Sequence, residues 1–158
     1  MKRRWFGSRD LFALVREATR HVLRHPVVGI AAAARTADGR WLLIRRRDTG
    51  GWAFAGGTLE WGETLTEGVT RELAEEAGVE LLGPCELFGV YSRPERDYRF
   101  HAVTILVTAT VTEPRRAPKN PLEIAEVRLF EAVDLPPELS MGMTDMLTDV
   151  LAQRRRLE

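Results

Sequence analysis

Apolar residues recur along this chain with two different periods, and the change of period predicts the elements. Before position 26 they recur every three or four residues, which predicts a first helix. Two β-type runs follow, at Val27–Arg35 and Trp41–Arg47. The pair Asp38-Gly39 between them is a strong hairpin signal, because both residue types tolerate a positive φ.

Downstream of residue 50, the pattern predicts further helices and strands. A glycine-rich stretch, Gly50–Gly62, leads into a helix predicted at about Thr64–Ala77. Further strands and a final helix are predicted at Glu86–Ser92, Phe100–Thr112, Val127–Phe130 and Met143–Arg155. Because no internal repeat or linker interrupts the 158 residues, we expect one α+β domain, with a mixed β-sheet sandwiched between α-helices. Residues 1–25 form a helical N-terminal extension in this prediction.

The charges balance overall but are unevenly placed. Lys+Arg and Asp+Glu each number 23, so net charge gives no general attraction to nucleic acid or membrane. Residues 1–47 carry twelve Lys/Arg against three Asp/Glu, whereas residues 48–90 carry nine Asp/Glu against one Arg. This split fits a site where basic groups hold phosphate and acidic groups hold metal. A solvated basic N-terminal helix explains it equally well.

Cysteine usage and hydropathy set the expected compartment. The single cysteine, Cys85, excludes an internal disulfide. Charged residues interrupt the N-terminal region, which argues against a signal peptide. The longest charge-free apolar stretch, around Pro26–Ala34, is too short to span a bilayer. A cytoplasmic protein is therefore expected.

The predicted helix at Thr64–Ala77 carries local signals at both ends. Thr64 and Glu67 have the spacing of a capping box, in which each side chain accepts from the other residue's backbone N–H. Gly78 follows the helix, at the position where a left-handed conformation is needed. The limits of this helix are therefore specified by its own sequence.

The same helix predicts an acidic face. Glu72, Glu75 and Glu76 lie at i, i+3 and i+4, about 100° from an apolar stripe formed by Val69, Leu73 and Ala77. Like charges at these spacings cost about 0.2–0.5 kcal/mol each. A solvated face relieved by Arg71 is one explanation. A site for a hard divalent cation, which carboxylate oxygens favour, is the other.

Nine residues around the helix decide between these explanations. They fit the pattern G-x5-E-x7-R-E-U-x-E-E-x-G-U, in which U is a bulky aliphatic residue: Gly57, Glu63, Arg71, Glu72, Leu73, Glu75, Glu76, Gly78 and Val79. A chance match in a chain of this length is rarer than about one in a million. The pattern resembles the Nudix box, complete from Gly57 to Val79, and the resemblance covers about residues 27–155. One departure is Ala55, where the family usually has a proline that would stiffen the loop.

The resemblance implies a reaction and a cofactor. It implies a metal-dependent hydrolase, requiring Mg²⁺ or Mn²⁺, that cleaves the pyrophosphate bond of a nucleoside diphosphate linked to another moiety. Within the family, the chain resembles the ADP-ribose pyrophosphatase-like members. A nucleotide of the ADP-ribose or nucleotide-sugar type is therefore expected ahead of a nucleoside triphosphate. The expected partner is this small molecule, with a homodimer left open.

The resemblance also implies roles for individual residues. It implies that metal is bound by three carboxylates and one backbone carbonyl, those of Glu72, Glu75, Glu76 and Gly56. Arg71 and Glu63 are expected to form a buried pair that orients helix and loop. A carboxylate takes the proton of the attacking water, and the family uses either a glutamate of the box or one from a later loop.

Four residues outside the motif are candidates for contacting substrate: Arg47, Arg96, Glu123 and Glu126. Arg47 ends a basic run in which strand alternation sends Arg46 to one face and Arg45 and Arg47 to the other. Arg96 lies in the charged loop 93–101, which resembles a segment of ADP-ribose pyrophosphatase-like members; a solvated hairpin loop explains it equally well. Glu123 and Glu126 are the later-loop candidates for the base, with a solvated loop as the competing interpretation.

Two other functions stay open from the sequence. A catalytically silent Nudix-fold sensor would bind such a nucleotide without hydrolysing it, although it has no need of three metal-binding glutamates. An RNA 5′-pyrophosphohydrolase is the other, although near-zero net charge and the lack of an evident basic track make nucleic acid an unexpected partner.

Overall fold

A computed structural model of the chain describes residues 25–97 and 99–158. Its strands are β1 Val27–Thr36, β2 Trp41–Arg46, β3 Trp52–Ala53, β4 Ala55–Thr58, β5 Glu86–Tyr91, β6 Ala102–Val111 and β7 Ile124–Phe130. Its helices are α1 Leu65–Ala77 and α2 Thr144–Leu151. The helical extension predicted over residues 1–25 lies, apart from residue 25, outside the described residues.

The strands form one mixed sheet. Its main path is β3-β2-β1-β6-β5, in which β1 and β6 run parallel over ten residue pairs. The β1–β2 hairpin turns at Gly39, whose φ of 94° confirms the predicted turn. β4 pairs with β1 and β7 pairs with β2, both antiparallel, and both lie off the main path. The prediction of a mixed sheet is confirmed.

Alternating side chains of the central strands build a core on each face of the sheet. Ala32 and Ala34 of β1 pack in the cluster with Val69 and Leu73 of α1. Their neighbours Ala31 and Ala33 belong to the opposite cluster, which contains Met146, Leu147 and Val150 of α2. This alternation follows from the two-residue period of a strand. The sheet therefore lies between α1 and α2, as predicted.

Helix α1 begins and ends where its sequence predicts. The Thr64 hydroxyl accepts from the N–H of Glu67, and the Glu67 carboxylate accepts from the N–H of Thr64 at 2.8 Å. Gly78 ends the helix in the left-handed conformation, with φ of 64°. Because Val69 and Leu73 are almost fully buried, the apolar stripe fixes the rotation of the helix against the sheet.

The glycine-rich stretch is more ordered than its composition predicts. It contains β3 and β4, two short strands that the sequence pattern missed. Gly56 lies opposite Ala31, and a Cβ on it would lie 2.2 Å from the carbonyl oxygen of Ile30. Glycine is therefore required for β4 to approach β1. Among the described residues, no helix is long and apolar enough to cross a membrane.

Candidate active site

A cavity of about 630 Å³ opens between α1, β4 and the segments that precede β6 and β7. Five carboxylates line it: Glu72, Glu75, Glu76, Asp97 and Glu123. Five basic side chains line it as well: Arg46, Arg71, Arg96, Arg99 and Lys119. The whole predicted carboxylate face of α1 thus borders one cavity, and mixed charge is what a site for a metal and a phosphate group requires.

Glu76 is the most deeply buried of these carboxylates. It is 7% exposed, and its Oε2 accepts from the backbone N–H of Gly56 at 2.8 Å. The nearest cation in the described part of the chain is Arg46, whose Nη1 lies 3.8 Å from Glu76 Oε1. Burial raises the pKa of Glu76 to about 8, against the opposing effect of the Gly56 N–H. An isolated anion is therefore disfavoured at this position unless a further cation is bound.

Glu72 approaches the sheet through a gap left by a glycine. A Cβ on Gly57 would lie 2.3 Å from Glu72 Oε1, so only glycine leaves room for the carboxylate. Burial raises the pKa of Glu72 even though Arg71 donates to it at 2.8 Å. Glu75 lies further out and pairs with Lys119. The three glutamates therefore share a cavity, but each faces a different partner.

The donor chemistry of this face fits a hard divalent cation. Three carboxylates of one helix border the same space, and two of them, the buried Glu76 and the partly buried Glu72, have raised pKa values. As the side chains stand, no group of three His, Cys, Asp or Glu residues among those described surrounds a common point. Binding would therefore require Glu72 and Glu75 to turn from Arg71 and Lys119. Gly56 lines the same cavity, and its carbonyl stays a predicted ligand.

The predicted Arg71–Glu63 pair is present. Arg71 donates from Nε and Nη2 to the two oxygens of Glu63, at 2.7 and 3.1 Å. The side chains are 23% and 17% exposed, so the pair is largely, not fully, buried. The Arg71 guanidinium lowers the pKa of Glu63. The pair joins α1 to the loop before it.

The basic run on β2 contributes Arg46 to the cavity, whereas Arg47 lies outside it. Arg46 is 7% exposed and donates from Nη2 to Glu123 at 2.9 Å and from Nε to Asp48 at 3.0 Å. Arg47 is exposed and donates to the carbonyl oxygen of Pro121. As the predicted alternation indicates, the two neighbouring arginines face different surroundings. Arg46 borders the cavity and Arg47 does not, so Arg46 takes the place of Arg47 as the candidate for contacting substrate. Trp41–Ile44 are all buried, so the apolar pattern of β2 does not by itself distinguish the two faces.

The two glutamates from the later loop, Glu123 and Glu126, also differ in whether they border the cavity. Glu123 borders the cavity, half exposed, with its Oε1 held by Arg46. Glu126 lies on β7, outside the cavity lining, where it pairs with Arg128. Of the two, only Glu123 borders the cavity, so Glu123 is kept as the candidate base in preference to Glu126.

Two further observations separate core residues from site residues. Phe54 is fully buried, and Trp52 packs edge-on against Phe130 with ring centroids 4.9 Å apart, so both serve packing. Lys119 reaches the cavity from the proline-rich loop before β7. No pattern in the sequence pointed to Lys119, because only the fold brings that loop to the end of α1, where the Lys119 N–H donates to the Glu75 carbonyl at 2.7 Å.

Comparisons with known proteins agree on one family. The sequence model described as the NUDIX domain matches residues 23–150. An ADP-ribose pyrophosphatase of Methanocaldococcus jannaschii is 40% identical over 85 residues, covering 52% of this chain and 49% of that protein. A MutT-like protein of Streptomyces ambofaciens is 45% identical over 69 residues, covering 44% of each. The chain thus spans about half the length of the curated relatives it matches.

A solved structure extends the similarity over a larger part of the chain. The MutT NUDIX hydrolase of Burkholderia pseudomallei superposes with a TM-score of 0.69 at 30% identity. The match covers 80% of this chain and 99% of that one. The agreement in fold therefore extends well beyond the nine-residue motif.

Proposed function

This chain belongs to the NUDIX domain family, and from that premise we propose that it is a metal-dependent pyrophosphohydrolase acting on a nucleoside diphosphate linked to a second moiety. The observation that carries the proposal is the convergence of Glu72, Glu75 and Glu76 on one cavity, beside buried or partly buried arginines. Carboxylates supply the oxygen ligands that Mg²⁺ and Mn²⁺ prefer, and arginines match phosphate oxygens.

The cofactor proposed for this face is Mg²⁺ or Mn²⁺, held by Glu72, Glu75, Glu76 and the Gly56 carbonyl. When bound, such an ion neutralises phosphate oxygens and lowers the pKa of the attacking water. The protein keeps the carboxylates in place through the buried side of α1. It also fixes the preceding loop through the Arg71–Glu63 pair.

Proton transfer is assigned to Glu123. Its carboxylate borders the cavity and keeps contact with solvent, so it can take a proton from water and release it. Arg46 donates to Oε1 of Glu123 at 2.9 Å, and within the described residues its Oε2 is held only by a long hydrogen bond of 3.4 Å from Asn120 Nδ2. Water adds to one phosphorus, the bridging oxygen leaves with the other phosphate, and the proton ends on Glu123.

ADP-ribose is the proposed representative of the substrate class. The relative named ADP-ribose pyrophosphatase matches about half of this chain at 40% identity. A cavity of about 630 Å³ lies within the roughly 300–1,000 Å³ of sites for ligands of this size. Hydrolysis of its pyrophosphate bond would give AMP and ribose 5-phosphate.

The decisive experiment is a substrate panel with product identification. Metal-free protein is assayed with ADP-ribose, nucleotide sugars, nucleoside triphosphates and 5′-triphosphate RNA, with Mg²⁺, with Mn²⁺ and with excess EDTA. We expect hydrolysis of a nucleoside diphosphate linked to a second moiety, such as ADP-ribose, abolished by EDTA and by Glu75→Gln, and retained by the surface control Glu80→Gln. Full turnover in EDTA would contradict the metal site. Tight binding without product would identify a sensor. Preferred hydrolysis of 5′-triphosphate RNA would identify an RNA 5′-pyrophosphohydrolase instead.

A further inference from the structure

Arg96 borders the cavity, but its donors are already used. Its Nε donates to Glu158 at 2.9 Å, and its Nη1 donates to Asp145 at 2.7 Å and to the Gly142 carbonyl at 2.8 Å. Its Nη2 donates to Asp145 at 2.6 Å and to Glu158 at 2.5 Å. A guanidinium has five N–H donors, so protein acceptors take all of them. A phosphate could bind here only by displacing a carboxylate.

The surroundings of Arg96 hold the side chain in one position. The guanidinium lies over the Tyr91 ring, 4.9 Å from its centroid, and the side chain is 7% exposed. A Cβ added at Gly142, whose φ is 65°, would lie 3.1 Å from the Arg96 Cβ, so the glycine lets this loop approach Arg96 closely. Two forked carboxylate pairs and a ring face therefore fix a planar group that a lysine could not replace.

Glu158 ties the same segment to a second part of the chain. Its Oε2 accepts from the backbone N–H groups of Ser92 and Arg93, at 3.1 and 3.3 Å. Its own N–H donates to the Val90 carbonyl at 3.0 Å, beside a parallel bridge between Val90 and Leu157. Hydrogen bonding from Arg96 lowers the pKa of Glu158 to about 2, so it is an anion at neutral pH. Neither Glu158 nor Asp145 lines the cavity.

We infer that Arg96 and Glu158 are positioning residues for substrate. They hold segment 92–97 between α2 and residues 157–158, so that Asp97 and Arg99 form an ordered wall of the cavity. The inference rests on the proposed function for its effect on catalysis. Asp97 and Arg99 both line the cavity, and Arg99 Nη2 lies 2.7 Å from Asp97 Oδ2. The wall borders the same cavity as the carboxylates of α1 and contains none of the proposed metal ligands, so it should affect binding of the substrate more than the chemical step.

A direct substrate contact and a positioning role of Arg96 predict opposite changes in KM when Glu158 is replaced. If Arg96 bound phosphate, Glu158→Gln would release part of its guanidinium and lower KM. If Arg96 positions the wall, Glu158→Gln loosens it and raises KM, although Glu158 touches no substrate. Arg96→Lys keeps the charge but loses both forks, so a positioning role predicts a similar rise in KM.

The experiment compares Glu158→Gln, Arg96→Lys and the double variant with wild type and two controls. The controls are Glu80→Gln and Arg40→Lys, equivalent changes in ion pairs outside the cavity lining. Three quantities are measured: amide exchange of residues 92–97, Kd for ADP-ribose in EDTA, and KM and kcat for the best substrate of the panel. Exchange and Kd do not depend on turnover.

We expect faster exchange and KM raised by about tenfold or more in both single variants, within the range that misplacing a binding group produces. kcat should change less than KM, and the double variant should be no worse than either single one, because both changes break one clamp. Unchanged exchange, or a lowered KM in Glu158→Gln, would overturn the inference. If wild type binds ADP-ribose but hydrolyses nothing, and the variants bind it more weakly, the proposed function is overturned and the inference is kept. If wild type neither binds nor hydrolyses, exchange alone decides.

Discussion

The Arg71 guanidinium binds both oxygens of Glu63, through Nε to Oε1 at 2.7 Å and Nη2 to Oε2 at 3.1 Å. The same guanidinium donates to Glu72 at 2.8 Å and to the Thr58 carbonyl at 3.2 Å. One side chain thus connects the loop before α1, the end of β4 and one of the three carboxylates. The loop and the acidic face therefore keep their relative positions together.

Replacing Arg71 should affect folding as well as turnover. Arg71→Ala leaves Glu63 unpaired, and because the pair is largely buried we expect a loss of about 2 kcal/mol, between the values for surface and fully buried pairs. Urea midpoints and slopes in EDTA measure it, with the exposed Arg116→Ala as a control. Glu75→Gln, in contrast, should lower activity with little change in stability. A loss below about 0.5 kcal/mol in Arg71→Ala would assign the pair to the surface.

The two adjacent glycines of β4 should fail in different ways when a methyl group is added. Gly56→Ala places a Cβ against the backbone of Ile30 and Ala31, which cannot move cheaply, so we expect a loss of about 1–3 kcal/mol. Gly57→Ala meets only the mobile end of Glu72. It should keep most stability but weaken Mn²⁺ binding, measured by titration calorimetry. Equal metal affinity in Gly57→Ala and wild type would remove Glu72 from the proposed ligands.

Neighbouring arginines on β2 should differ in the same assays. Arg46→Ala removes the partner of Asp48 and Glu123 beside buried Glu76, and we expect a loss of about 2–3 kcal/mol, since two of these carboxylates keep contact with water. Turnover should fall about tenfold or more, because Glu123 loses its anchor. Arg47→Ala should change stability by less than about 0.5 kcal/mol. Thermal melts and kcat decide, and equal effects would contradict the assignment of Arg46.

Glu76 gives the metal-free protein a pH dependence of known sign. Its pKa in the fold is about 8, above the ordinary value of 4.5, because burial disfavours the anion. The folded state therefore keeps a proton that the unfolded chain loses, and stability falls as pH rises from about 4.5 to about 8. Glu76→Gln imitates the protonated carboxyl and escapes this loss. In EDTA it should be more stable than wild type by a few kcal/mol at most.

The measurement is urea unfolding of both proteins in EDTA at several pH values. The difference should be small near pH 4.5, grow as pH rises and become constant above about 8. Mg²⁺ should reverse the order, since only wild type binds it well, and its affinity should rise with pH as the proton leaves. A difference that stays constant from pH 5 to 9 would mean that Glu76 titrates normally.

The sequence by itself determined α1 and its chemistry. Capping residues, an apolar stripe and a C-terminal glycine act within a few positions of one another, so local geometry placed Glu72, Glu75 and Glu76 on one face before any fold was known. Spacing also placed Arg71 within reach of Glu63. The seven strands described were predicted less completely, because β3 has only two residues and the glycine-containing β4 is held by pairing with β1 across the intervening β2 and β3.

Only the tertiary structure decided which charged side chains outside α1 reach the cavity. Alternation divided the arginines of β2 into two faces, but the packing of β7 and Glu123 against that strand selected Arg46. The sequence around Arg96 does not show its partners, because Asp145 and Glu158 lie 49 and 62 positions away along the chain. Helix geometry follows from near neighbours, whereas the neutralisation of a buried charge depends on whatever the fold brings beside it.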